Sequence, residues 1–424
     1  MNRFNVCRAV LSGFVGLLLA AAATQAQNPV ADWDANSLTA ILTAKKSPVV
    51  SFVYFTYVDV AMFDAVNSID RRFKPFAVCV DAPNGSSQDA AVIAAAHDVL
   101  VHYFPNQQAA LDAQEVASFA AIPDGQPKID GMAVGQTVAA HWIALRANDG
   151  LEAPVVYTPG HGPGIWEPVP TFPAPPPNTP PPPAAPWLAQ FRPFALTSAD
   201  QFLSEVEPPF ALTSEEWSRD FNYTKKYGAF NSSYRTSKQT EIGMFWADHG
   251  GAQISRAFRN LIATQQLSTA DAARLGAMSN VVVADSLAAC FNAKYHFAFW
   301  RPYTAIHNAD TDSNPDTSPD PNWIPLDVTP GHPEYPAAHG CGTQALMDTL
   351  TRFFETDEVP YVVSSNVTGT THDFTSFEDV VREVDAARIY GGMHFRHAVK
   401  QGNVLGRKVA DYILDNYFLP VEER

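Results

Sequence analysis

Cysteine is scarce in this chain: four in 424 residues, at Cys7, Cys79, Cys290 and Cys341, with no CxxC spacing to suggest zinc. Basic residues are also in the minority, 28 Lys and Arg against 44 Asp and Glu, for a net charge of −16. A chain this acidic is a poor partner for nucleic acid or for anionic membrane surfaces, so any anion it binds is held by a local cluster of cations working against the global field. Only one long apolar run stands out, residues 9–23, and it is shorter than the roughly 20 residues that span a bilayer. No stable membrane anchor is expected.

Hydrophobic residues make up 46% of the chain, enough for a well-buried core in one large domain or two ordinary ones. Residues 1–26 combine a charged start (Arg3, Arg8), the apolar run and a small-residue site ending in Ala26, the pattern of a cleaved signal peptide. The expectation is a periplasmic or secreted protein beginning at Gln27. Its charge changes from 28 − 44 to 26 − 44, or −18. Cys7 leaves with the signal, and Cys79, Cys290 and Cys341 remain as one bridge plus a free thiol or as three buried thiols.

Residues 27–150 read as packed helices, with helical apolar spacing at 51–70 and alanine-rich faces at 89–103 and 131–147. Residues 151–212 form a proline-rich excursion containing PPPNTPPPPAAP, which suits only extended, polyproline-like chain. The aromatics Trp166, Phe172, Trp187, Phe191 and Phe194 suggest that it is tethered. Residues 213–424 resume helical patterning in blocks at 214–225, 237–248, 252–264, 268–298, 341–354, 377–390 and 403–417, and only 359–363 reads as a strand. The fold class is therefore all-α, a multi-helix bundle with a long proline-rich loop. Residues 27–424 are expected to form one compact domain.

Three short segments carry the chemistry. Lys294 and Arg301 lie seven residues apart, nearly two helical turns, which would place both cations on one face about 10 Å apart along the axis. Pro302 opposes helical continuation through Arg301. The loop HPEYPAAHG, His332 to Gly340, runs into an apolar helix. Its small residues Ala337, Ala338 and Gly340 would let a ligand approach the backbone, and the free amides at a helix start favour an anion there. His339 would sit beside that anion as proton donor or acceptor. Finally, Arg388 and His394 are six residues apart, and Gly391-Gly392 would break the helix so that both turn inward.

Taken singly, these are a solvated Lys and Arg, a capping histidine and a core histidine. Together they supply three permanent cations and two histidines, without an acidic ligand set or a nucleophilic serine motif. That combination suits a tetrahedral oxoanion with one attacking or ligating histidine and one acid–base histidine.

Lys-x6-Arg-Pro, Pro-x2-His-Gly and Arg-x5-His, in this order, resemble the signature of the vanadium haloperoxidases and the type 2 phosphatidic acid phosphatase superfamily. AMFDAVNSID, GPGIWEPVP, RPFAL, SSYRT, FWRPYTAIHNADTDSNPD and GGMHFRH are similar to its secreted bacterial haloperoxidase-like branch. The resemblance implies that Lys294, Arg301, Arg388 and the backbone at Ala338 hold vanadate or phosphate. His394 would bond to vanadium or attack phosphorus, and His339 would be the acid–base residue. It implies a vanadate-dependent oxidoreductase using hydrogen peroxide and halide, with His332 as a halide-site candidate favouring bromide or iodide. An acid phosphatase acting on phosphomonoesters through a phosphohistidine is the alternative on the same residues. A non-catalytic oxoanion-binding relative is a reading of another class, as is a zinc or iron site among His296, His307, His332, His339 and His394.

The chain departs from the family pattern twice. Ala337 stands where a serine is usual, losing a charge-assisted hydrogen bond of about 1.5–3 kcal/mol. Ala398 stands where an aspartate is expected after His394, so a local carboxylate to fix that ring is missing.

Overall fold

The computed structural model describes residues 28–170 and 180–421. The expected signal peptide, Phe172 and the first part of the proline run lie outside the described residues.

Five helices open the fold: α1 (Pro29–Thr43), α2 (Pro48–Asp70), α3 (Gln88–Tyr103), α4 (Gln108–Ala120) and α5 (Gln126–Arg146). Pro48 at the first turn of α2 suits a position whose N–H needs no partner, and Arg71 in the left-handed region ends the helix. Almost every residue of α2 is buried, so the helix is apolar all round and occupies the core. Both α2 and the later α9 are long and apolar enough to cross a membrane, but their spans are 94% and 89% buried inside the protein, which marks them as core helices.

The buried polar residues of α2 explain the AMFDAVNSID segment. Asp64 accepts the amides of Phe76, Ala77 and Val78 and the indole N–H of Trp142. Asn67 exchanges two hydrogen bonds with the backbone of Phe73, and the Ser68 hydroxyl accepts from Val80. One helical turn thus pins the loop at 73–80.

The described parts of the proline-rich excursion are tethered, as the aromatics suggest. Trp166, Trp187 and Phe191 are buried. The amides of Trp166 and Trp300 donate to Ala298 and Gly164, and the Ala184 amide donates to Gly331 on the histidine loop.

The second half contains α6 (Glu215–Gly228), α7 (Ser237–Phe245), α8 (Gly250–Thr264), α9 (Thr269–Phe297), α10 (Pro302–His307), α11 (Ala338–Phe354), α12 (Phe377–Tyr390) and α13 (Arg396–Asn416). Asp285 of α9 accepts the amides of Phe194, Ala195 and Leu196, fixing the excursion to the core. Strand β1 (Tyr361–Ser364) pairs antiparallel with β2 (Thr371–Phe374). The single expected strand is therefore half of a hairpin, and the architecture remains all-α.

Helices α11 and α13 meet at backbone distance. A Cβ on Gly402 would lie 2.5 Å from the Ala337 carbonyl, and one on Gly406 would lie 2.3 Å from that of Cys341. Gly340 faces the same interface, where its Cβ would meet Val399 O and Asn403 Oδ1 at 2.8 Å. Its small size therefore serves helix packing and not ligand approach. Helix α13 also begins seven residues before the expected 403, and this early start places its first turn beside His394.

Candidate active site

Each of the three motifs is placed by a break in regular structure. Helix α9 ends at Phe297, and Ala298 takes a left-handed conformation (φ 44°). Arg301 is therefore not on α9 with Lys294, contrary to the two-turn expectation. It is the extended residue preceding α10 (φ −79°, ψ 157°), as a following proline requires. Helix α12 closes with the amides of Met393 and Gly392 returning to the carbonyls of Arg388 and Ile389, and Gly392 adopts φ 74°. This Schellman turn reverses the chain, so that Arg388 and His394 both point inward as anticipated from Gly391-Gly392.

The side chains converge in a buried cluster. Lys294, Arg301 and Glu334 are fully buried, with Arg388 and His394 nearly so. Lys294 Nζ donates to the carbonyls of Pro333 and Glu334, both at 2.9 Å, which leaves one of its three N–H groups unspent. Arg301 donates to His332 O (2.9 Å) and Met393 O (3.0 Å), and its terminal nitrogens lie 3.2 Å from His394 Nε2 and 3.0 Å from His332 Nδ1. Arg388 has only a long hydrogen bond to Trp246 O (3.5 Å) and a 4.0 Å approach to Asp327, while its buried Nε has no partner.

Three buried cations with unused donors favour a bound anion, because desolvated positive charge without compensation is costly. Burial pushes Lys294 down to about 8 and lowers Arg301 and Arg388 as well. The first amides of α11, at Ala338 to Gly340, have no preceding helical carbonyl and add further donors. This donor set fits a tetrahedral oxoanion such as vanadate or phosphate, without a metal-type carboxylate cage.

The histidines are held neutral. Burial, followed by the surrounding cations, pushes His332, His339 and His394 well below the ordinary histidine range. His394 Nδ1 lies 2.9 Å from Glu334 Oε1, which also accepts the Phe395 amide at 3.0 Å. The network assigns the proton to Nδ1, donating to Glu334, and leaves the Nε2 lone pair facing Arg301 and the anion site. The carboxylate missing at Ala398 is thus supplied by Glu334 of the HPEYP loop. Ala398 instead accepts the Ala337 amide through its backbone carbonyl and buries its methyl group in the core.

Glu334 was overlooked at the sequence level because its partner lies 60 positions away. The available signal was an acidic residue confined between two prolines beside two histidines. Burial raises its carboxyl to about 7, against the opposing pull of Arg301 and Lys294.

His332 is tied to Arg301 and packs on Phe291 with ring centroids 5.0 Å apart. His339 is half-buried in the first turn of α11 and faces a cavity. Among the described residues, the grouping with three His, Asp or Glu ligand atoms in mutual reach is His97, Asp98 and Glu115 on α3 and α4. The five histidines of the zinc or iron reading form no such grouping. Cys290 and Cys341 are buried free thiols, while Cys79 is free and exposed, which corrects the expectation of three buried thiols.

Residues 274–422 match the family model of the VCPO second helical-bundle domain. Vanadium chloroperoxidase of Curvularia inaequalis is 24% identical over 216 residues, 42% of this chain and 35% of the relative. The match thus spans about a third of that relative's length. The structure of the first bacterial vanadium-dependent iodoperoxidase superposes with a TM-score of 0.77 at 20% identity, covering 93% of this chain and 98% of that one. A holo-type bacterial vanadium-dependent chloroperoxidase gives 0.69 at 15% identity, covering 86% and 91%. Residues 274–422 thus match the second helical-bundle domain of that family model, and the chain as a whole shares the fold of the bacterial vanadium-dependent haloperoxidase structures.

Proposed function

We propose that this protein is a vanadate-dependent haloperoxidase that oxidises bromide or iodide with hydrogen peroxide. The observation that carries the reading is the convergence of Lys294, Arg301 and Arg388, with donors to spare, on a neutral His394 whose Nε2 lone pair is oriented by Glu334. Lys294, Arg301, Arg388 and the α11 amides would hold the oxygens of vanadate, and His394 would hold the vanadium through Nε2. When bound, vanadate supplies a Lewis acid that activates peroxide toward halide.

The protein's own contribution is positional and protonic. Glu334 keeps the His394 proton on Nδ1, and Lys294 stiffens the loop carrying Glu334 by holding two of its carbonyls. His339, neutral and accessible from the cavity, would accept and return a proton at its ring nitrogen. The bond between His332 and Arg301 would couple a halide-facing ring to the oxoanion cations. We also propose export with cleavage before Gln27, supported by the N-terminal pattern. Intact-mass measurement of secreted protein tests this.

The functional test assays purified protein with and without orthovanadate for peroxide-dependent bromide and iodide oxidation, alongside phosphomonoester hydrolysis, with His394→Ala as control. Vanadate-dependent halide oxidation lost in the control is the expected result. Phosphomonoester hydrolysis inhibited by vanadate would replace this reading with the phosphatase one. If both assays are silent and Ala337→Ser gains no rate, the protein is an oxoanion binder without turnover.

A further inference from the structure

Outside the oxoanion cluster, the SSYRT segment places one cation where two helices end. Arg235, in the link between α6 and α7, donates through Nη1 to the carbonyls of Tyr227, Ala229 (2.8 Å) and Tyr390 (3.3 Å), and through Nη2 to that of Phe230 (3.3 Å). Its Nε donates to Thr240 Oγ1 on α7 at 2.9 Å. Tyr227 lies in the last turn of α6 and Tyr390 is the last residue of α12, so the guanidinium takes up carbonyls that have no helical donor left. All five bonds end on neutral oxygens, and the side chain therefore serves backbone geometry in place of pairing with a carboxylate.

The Tyr390 carbonyl matters because the turn of the oxoanion site begins there. Arg388 stands two residues earlier, and Gly391-Gly392 then carry the chain to His394. That turn rests on the end of α6 at backbone distance: a Cβ on Gly228 would lie 2.6 Å from Gly392 Cα, and one on Gly392 would lie 2.6 Å from Gly228 O. Thr224 of α6 also donates to the His394 carbonyl at 3.2 Å. The Arg388 side chain has little to hold it by itself, with the 3.5 Å bond to Trp246 O and the 4.0 Å approach to Asp327. Its placement is therefore inherited from the backbone at the end of α12.

We propose that Arg235 is a positioning residue for the oxoanion site, stapling the ends of α6 and α12 so that Arg388 is held where the anion binds. This inference rests on the oxoanion-binding part of the haloperoxidase reading. Guanidinium suits the task because its planar fork reaches acceptors on separate segments, which an ammonium group on a flexible stem does not reproduce.

Orthovanadate affinity of the full-length protein provides the test, measured by equilibrium titration at a temperature where circular dichroism shows each variant folded. The variants are Arg235→Met, Arg235→Lys and Gly228→Ala. The last keeps the arginine but drives a methyl group against Gly392, disturbing the same junction if loss of the arginine unfolds the chain. Arg235→Met and Gly228→Ala should each weaken binding by about tenfold, the low end for losing an outer partner of an ion site, and Arg235→Lys should fall between them and wild type. Both should also shift the vanadium NMR resonance of bound orthovanadate. Added to Arg388→Lys, Arg235→Met should cost no more than about threefold, since the guanidinium it positions is already gone.

A residue that only stabilised the fold would lower the melting temperature while the folded variants kept wild-type affinity and resonance, and that result would overturn the positioning role. Full additivity of Arg235→Met with Arg388→Lys would overturn it as well, because the two residues would then act independently. Wild-type protein that fails to bind orthovanadate would instead overturn the oxoanion reading, and the role of Arg235 with it.

Discussion

Glu334→Gln should weaken the oxoanion site while making the protein more stable. In the wild type, Glu334 Oε1 receives the His394 Nδ1 proton and the Phe395 amide, while buried Oε2 has no partner. Glutamine retains an acceptor oxygen but loses the charge that strengthens these bonds. Loss of a partner orienting a ligating histidine costs about 10- to 100-fold in affinity, or roughly 1.4–2.7 kcal/mol. Stability moves the other way. The Glu334 carboxyl rises from 4.5 to about 7 on folding, so its favourable, protonated contribution is present below 4.5 and lost as pH rises through about 7. That loss is on the order of 3 kcal/mol, and glutamine does not incur it. The variant should therefore match wild type in denaturant melts near pH 4 and exceed it by up to about 3 kcal/mol at pH 8, while its orthovanadate Kd increases at least tenfold. A Kd within twofold of wild type would refute the positioning role. A loss of stability at pH 8 would refute the account of Glu334 as an uncomfortably buried carboxylate.

Three further outcomes follow from the same geometry. Arg388→Lys should weaken orthovanadate binding by about tenfold or more in equilibrium titration, because a lysine cannot reproduce the planar donor fork that includes the unpartnered Nε. Lys294 is depressed to about 8, and anion binding requires its charged form. Oxoanion affinity should accordingly be insensitive to Lys294 below pH 8 and fall by up to about tenfold per unit above it, a dependence that Lys294→Met removes. Gly402→Ala would press a methyl group against the Ala337 carbonyl, and should destabilise the protein by about 2–3 kcal/mol or more in thermal or denaturant unfolding.

Much of the fold was legible because helices write themselves locally. The α3, α9 and α12 periodicities were readable to within a residue or two, and the Gly391-Gly392 turn has a conformational signature that sequence reveals. The hairpin partner Thr371–Phe374 was not legible, since that short polar segment becomes a strand only by pairing with Tyr361–Ser364. The start of α13 was likewise obscured, because Arg396 to Gly402 mixes buried and polar residues that only its packing on α11 sorts.

By itself, the sequence determined the helical class, because periodicity is a property of the chain, and its motifs named the cations and histidines proposed for the site. Tertiary structure decided how those residues meet. It moved Arg301 off the helix of Lys294, turned Gly340 toward α13 and supplied Glu334 to His394 from 60 positions away. It also enclosed the cavity at His339 with walls from four helices. These outcomes depend on close packing between distant segments, whose geometry is fixed only when the whole core forms.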